Sequence, residues 1–294
     1  MRAAAVVLAL AALPAAAASR GSMSEAMTAG SGPYIGNSLS AGVSPGPLDL
    51  DVGYDFGSDE NLVLYHSLWG SLGVWPFQGV RISFDGDFGP KVSSDSPDRG
   101  HYALSSAGGG ASISYHPGRA GEMRPYLQIG GGVEHLEVEG SQTPGATNPV
   151  NAAFDQTSLA GTLGIDVGAT ALRIGASKFF YGEDAGALQL PPGVGNGPLG
   201  LGAGQAALPT RAEDWNVRAS VRQRFGRAEA WDGQLRFTYA PYVDGRGEIA
   251  AANLRLGRDL SRSLRGYVGL TGQVETLSAT AFGLFGTAGV SVLF

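Results

Sequence analysis

Apolar and polar side chains alternate with period two in segment after segment of this chain. Leu48, Leu50, Val52, Tyr54 and Phe56 alternate with Asp49, Asp51, Gly53 and Asp55, and Val80, Ile82, Phe84 and Phe88 alternate with Arg81, Ser83, Asp85 and Asp87. Further on, Trp215, Val217, Ala219, Val221 and Phe225 alternate with Asn216, Arg218, Ser220, Arg222 and Arg224. A β-strand shows successive side chains to opposite faces, so each segment offers one greasy face and one polar or charged face. The 47 glycines and 16 prolines also argue against a helical bundle.

The same alternation closes the chain. Between Thr280 and Phe294, one parity holds Phe282, Leu284, Ala288, Val290, Val292 and Phe294, and the other is small or mixed. A closing strand that stops on an aromatic residue resembles those of bacterial outer-membrane β-barrel proteins, the porin-like superfamily. That resemblance implies an antiparallel up-and-down barrel, outer-membrane localisation, and a role for Phe294 as the signal read by the barrel-assembly machinery. Lipid and lipopolysaccharide are the implied surroundings. The match at Phe294 is incomplete, since Val292 stands where many relatives carry a second aromatic.

The other end of the chain fits export. Arg2 precedes an apolar run from Ala3 to Leu13, then Pro14 and the alanine tract Ala15 to Ala18. The run is shorter than the roughly 20 residues that a spanning helix needs, and it reads as a secretory signal peptide over residues 1–18. There is no cysteine, which excludes a lipid-modified N-terminal Cys, disulfides and Cys-based metal or nucleophilic chemistry. With a net charge of −6 and no basic stripe, nucleic acid is not an expected partner. No segment reads as a transmembrane helix; the uncharged stretch from Gly186 to Thr210 is broken by Pro191, Pro192, Pro198 and Pro209.

Residues 19–46 are rich in Ser, Gly, Ala and Met with little periodicity and read as a flexible lead-in. The barrel is expected over 47–294, with about twelve strands, an even number as bacterial single-chain barrels require. Strand signals run from Leu48 through Leu62 to Gly73, Val80 to Phe88, Tyr102 to Tyr115, Arg124 to Glu137, Leu159 to Val167, Leu172 to Ile174 and Trp215 to Phe225. They continue through Leu235 to Tyr239, Leu254 to Leu256 and Val268 to Val274, up to the closing segment. Long connections are expected at Gly89 to Gly100, Val138 to Phe154 and Gly182 to Ala212, all external if both termini are periplasmic, with short turns on the other side. A secreted β-sandwich shares much of this pattern. Aromatic residues such as Tyr54, Phe88, Trp215, Phe225 and Trp231 cluster near strand ends, as membrane-interface girdles do, and favour the barrel.

Placing the apolar parity toward lipid puts Arg81, Arg173, Arg218, Arg222, Arg236, Arg255 and Arg265 inside, with Asp49, Asp51, Asp85, Glu134, Asp166 and Glu275. An arginine on the lipid side would cost about 2–4 kcal/mol at the midplane. Basic positions concentrate in the later strands and acidic ones in the earlier strands, so the two groups face each other across a closed barrel. This interior is either a water-filled pore with a transverse field or a set of ion pairs that fills it. Small positions, among them Gly130, Gly132, Gly164, Gly175, Gly269 and Gly289, leave room for water.

The reading that follows is a passive porin-like channel for small polar solutes. The alternative is a structural or adhesive surface barrel with a closed interior. The connection over 182–212 is read as an external flap rather than a constriction, since nothing in its later part supplies a charge before Arg211. Enzymatic activity is not expected. A membrane-embedded lipase or lipid A deacylase needs a nucleophile beside a base. Here the residue two beyond His135 is Glu137, not serine, and the adjacent His66 and Ser67 point to opposite faces. Acidic loop pairs such as Glu137 with Glu139 and Glu213 with Asp214 lack a cation-loop spacing, so neither a metal nor a cofactor is expected.

Overall fold

The computed structural model describes residues 20–31, 34–59, 62–96, 100–118, 123–140, 150–182, 213–245, 247–276 and 280–294. They form a closed antiparallel barrel in which every strand pairs with its neighbours in sequence and the first pairs with the last. The strands are β1 (Arg20–Gly30), β2 (Tyr34–Ser44), β3 (Leu48–Asp59), β4 (Leu62–Phe77), β5 (Val80–Ser96), β6 (Gly100–Tyr115) and β7 (Arg124–Gly140). The second half holds β8 (Val150–Val167), β9 (Thr170–Tyr181), β10 (Trp215–Phe225), β11 (Trp231–Pro241), β12 (Glu248–Asp259), β13 (Leu264–Thr276) and β14 (Thr280–Leu293).

The barrel therefore has 14 strands, not about twelve. All twelve segments read from the sequence are present as β3 to β14; the two additional strands lie within 19–46, the stretch read as a flexible lead-in. Their outward parity is thin: Met23, Glu25, Met27 and Ala29 on β1 and Ile35, Asn37, Leu39, Ala41 and Val43 on β2 alternate with small residues, and the breaks at Glu25 and Asn37 weaken the period-two signal. The backbone ladder holds them. β1 runs against β14 from Ser22↔Leu293 to Gly30↔Phe285, with Ser24 against Ser291 at 2.8 Å and Thr28 against Thr287 at 2.9 Å. Gly21 and Phe294 then exchange backbone hydrogen bonds of 2.8 and 3.0 Å. A Cβ at Gly21 would stand 2.2 Å from the Phe294 ring, so the terminal aromatic needs a glycine opposite it.

Two expected loops are strand in part. β5 continues to Ser96 and β6 begins at Gly100, while β7 reaches Gly140 and β8 begins at Val150. Glycine, serine and charged residues mask these extensions in the sequence, and pairing such as Asp95↔His101 and Glu139↔Asn151 reveals them. The expected signal peptide over 1–18 and nearly all of the 182–212 connection lie outside the described residues.

β1 begins and β14 ends at one rim, called here the terminal rim; the opposite end is the loop rim. The β8–β9 turn shows how tight the terminal rim is. Two residues join these strands, and Gly168 takes φ 57°, a left-handed conformation natural to glycine. Large apolar side chains of one parity face outward: Phe282 is 77% exposed, Val133 63%, and Ile129, Leu163, Ile174, Leu254 and Val268 are exposed as well. In water, so continuous an apolar surface would aggregate; around a closed barrel it is a surface for lipid.

Candidate functional site

The inward parity carries charge at two nodes near the terminal rim. Asp166 on β8 takes Arg173 of β9 at 2.6 Å, His116 at 2.7 Å and Arg124 of β7 at 3.2 Å. Asp232, the second residue of β11, takes Arg222 of β10 at 2.5 Å and Arg265 of β13 at 3.2 Å. Both carboxylates are buried, and each is matched by more than one cation, the condition under which buried charge is tolerated. A third pair, Arg81 of β5 with Asp49 of β3 at 3.3 Å, is tied by the Trp75 indole, which donates to Asp49 at 2.7 Å. Asp51 shares the face of Asp49 on the same strand.

Above these nodes the interior opens. A cavity of about 460 Å³ is lined by Asp85, Ser112, Gln128, Ser158, Thr162, Arg173 and Ser177 of β5 to β9 and by Arg218 and Arg236 of β10 and β11. Arg173 and Arg236 flank Ser220, which pairs with both. Arg218 is exposed to this space, and the Arg222 side chain is half exposed although it faces inward, so the space admits water. Room comes from Gly110, Gly130, Gly132 and Gly175, whose neighbours across the ladder are Asp85, Arg218, serine, threonine, alanine or further glycine rather than rings. Arg255 does not join this group; its guanidinium lies 3.7 Å from the centre of the Tyr267 ring, a cation–π contact along the β12–β13 wall. Glu275 is buried at the loop rim and accepts from the Tyr242 hydroxyl at 2.8 Å.

Several inward residues were not singled out from the sequence. Asp87 has the parity of Asp85 and could have been added by extending the same alternation one step. Asp232 is visible only once β11 is known to begin at Trp231 rather than at Leu235. Gln156, Asn216 and Tyr181 are inward neighbours whose polar side chains carry no sequence signature. Glu213, just before β10, is held by the Asn216 amide at 2.9 Å. Burial pushes its carboxyl above the usual range, with the Asn216 hydrogen bond and the Arg218 charge acting in the opposite sense.

His135 faces outward on β7. Its imidazole contacts Asp155 of β8 at 2.7 Å and Glu137 at 3.7 Å, while the Ser105 hydroxyl donates to Glu137 at 3.2 Å rather than to the imidazole. Among the described residues no group of three or more His, Cys, Asp or Glu is placed to hold a metal ion.

A closed antiparallel barrel with an apolar belt outside and matched charge inside is a transmembrane β-barrel of the outer-membrane class. No family model and no curated protein sequence matches the chain. Among solved structures, the fold is similar to that of the CymD monoaromatic hydrocarbon channel, at TM-score 0.54 and 10% identity over 94% of this chain and 88% of that one. It is also similar to CdiB from Acinetobacter baumannii, at TM-score 0.52 and 10% identity, covering 96% of this chain and 61% of CdiB, so this chain spans less than two thirds of that protein's length. These likenesses share the fold.

Proposed function

We propose that the protein is a passive outer-membrane channel for small polar solutes, with its terminal rim in the periplasm and its loop rim outside. The observation that carries this reading is the cavity of about 460 Å³ with Asp85 on one wall and Arg218 and Arg236 on another. Fourteen strands lie between the eight that side chains fill and the sixteen to eighteen that leave a wide aqueous pore, so the lining decides whether space remains. Here the lining is glycine, alanine, serine and threonine beside the charged groups. Opposed charges across a narrow, low-dielectric passage orient dipolar solutes and favour anionic or zwitterionic ones on the arginine side. CymD supports a channel on this fold, but its solute is an aromatic hydrocarbon; the polar lining here favours polar cargo. The contacts of His135 run to the carboxylates of Asp155 and Glu137.

Purified protein should show heat-modifiable gel mobility, and proteoliposomes containing it should swell in isotonic arabinose. A folded barrel with neither swelling nor conductance in planar bilayers would reject the channel and leave a structural or adhesive surface barrel.

A further inference from the structure

The loop-rim half of the interior holds a row of acceptors with few donors. Register aligns Asp87 of β5 with Gly108 of β6, Gly108 with Glu134 of β7, Glu134 with Gln156 of β8, and Gln156 with Tyr181 of β9. All of these positions have inward parity, one step above the Gly132 that lines the cavity. A Cβ at Gly108 would stand 3.0 Å from Asp87 Oδ1 and 3.3 Å from Glu134 Cβ, so the missing side chain lets the two acids converge. Among the described residues no ion pair reaches either of them, unlike Asp166 and Asp232.

The independent sign of a ligand is the set of buried oxygens beside these acids. Gln156 is 8% exposed and its Oε1 has no hydrogen-bond partner. Asp87 Oδ2 and Glu134 Oε1 are likewise buried without a partner. The Tyr181 hydroxyl spends its proton on the Glu213 carbonyl at 2.7 Å. Carboxylates and amide oxygens only accept, and a buried acceptor left unpaired costs about 1–3 kcal/mol. Among the described residues the row's donors are the Gln156 amide nitrogen and the already engaged Tyr181 hydroxyl, and it holds no positive charge.

We propose that Asp87, Glu134 and Gln156 form a subsite for the cationic end of a solute, a guanidinium or protonated amine; this rests on the channel reading above. A single metal ion fits less well. The backbones that carry Asp87 and Glu134 stand two strands apart, about 9.6 Å at about 4.8 Å per strand, and no group of three or more metal-holding side chains is found among the described residues. A planar guanidinium carries several donors and bridges such a spread. Arg218 also lines the cavity, but three inward positions nearer the terminal rim by register, too far to hold the other end of a short solute. The solute class this selects is cationic and short, a small amine or guanidine rather than a neutral sugar.

The test is calorimetric titration of methylguanidinium into the detergent-folded full chain, with tetramethylammonium, which has charge but no donors, as the control probe. Methylguanidinium should bind, tetramethylammonium about tenfold more weakly, and Glu134→Gln should weaken methylguanidinium about tenfold, the factor a charge-assisted hydrogen bond carries. If Glu134→Gln loses heat-modifiable mobility, Asp87→Asn replaces it with the same expectation. Absence of methylguanidinium binding by the wild type, or equal affinity in the wild type and the folded variant, overturns the subsite. Arabinose swelling, measured in parallel, separates the two readings. Swelling without cation binding removes the subsite and keeps the channel; cation binding lost in the variant without swelling keeps the subsite and removes the channel.

Discussion

Glycine does opposite things on the two walls of this barrel. On the β6 to β9 wall, Gly110, Gly130, Gly132 and Gly175 face serine, threonine, a carboxylate or other glycines, and the space they leave becomes the cavity. On the wall from β13 through β14 to β2, glycines are seats for rings. A Cβ at Gly30 would meet Phe285 at 2.2 Å, one at Gly36 would meet the Tyr34 hydroxyl at 2.6 Å, and one at Gly289 would meet Tyr267 at 2.4 Å. Tyr34 and Phe285 meet edge to face at 5.6 Å, and Phe285 is 1% exposed. One wall is stabilised by packed rings, the other by charge at its foot, and only the second leaves room for a solute.

This contrast can be broken from either side. The largest effect should come from the packed wall: Phe285→Ala removes a buried ring and should cost about 3–5 kcal/mol in urea unfolding from phospholipid vesicles, with arabinose flux little changed. A loss under 1 kcal/mol would mean the ring is a surface feature. On the open wall the matching test is Asp166→Asn, which strips the shared partner of Arg124, Arg173 and His116 and should cost about 3 kcal/mol. Should it prove neutral, the charged foot of this wall is not what holds it.

Ser158→Trp, which builds a ring into the open wall, should leave the barrel folded and cut arabinose swelling about tenfold, since the cavity is about 460 Å³ and an aromatic side chain takes a large share of it. Unchanged flux would place the route elsewhere.

The smallest effect concerns pH at the loop rim. The folded pKa of Glu213 is raised above its ordinary 4.5, so its proton is held more tightly in the folded state than in the unfolded one. Folding then gains most below pH 4.5 and loses that gain as pH rises through the folded value. The urea midpoint of the wild type should fall over that window, and Glu213→Gln should flatten the slope. A midpoint that rises with pH in the wild type and stays unaltered in the variant would contradict the sign.

The barrel was legible where membrane and water impose opposite demands on the two parities. In the segment from Trp215 to Phe225, apolar and polar positions interleave without exception until Gln223, and β10 occupies that segment. The pattern fails where neither face has to be large or charged. β1 offers Ser22, Ser24, Ala26 and Thr28 on one parity and Met23, Glu25, Met27 and Ala29 on the other, a weak alternation broken by Glu25, and its strand character is completed by closing the ladder with β14, a long-range demand that no local window carries. The extended ends of β5 and β7 fail for a related reason. They rise past the apolar belt, so Ser93, Glu137 and Glu139 need not alternate with hydrophobes. For the interior, parity separated inward from outward positions, but it could not tell which charges pair. Arg222 and Arg218 look alike in sequence; one reaches Asp232 at 2.5 Å and the other faces open space, because strand register sets the distance.

The open wall is the central claim, and proteoliposome swelling by arabinose tests it most directly. Vesicles containing heat-modifiable, folded protein should swell at a rate that rises with protein content, and Ser158→Trp should suppress it. Vesicles that hold the same folded protein and do not swell at any content would show the space between β6 and β9 to be closed.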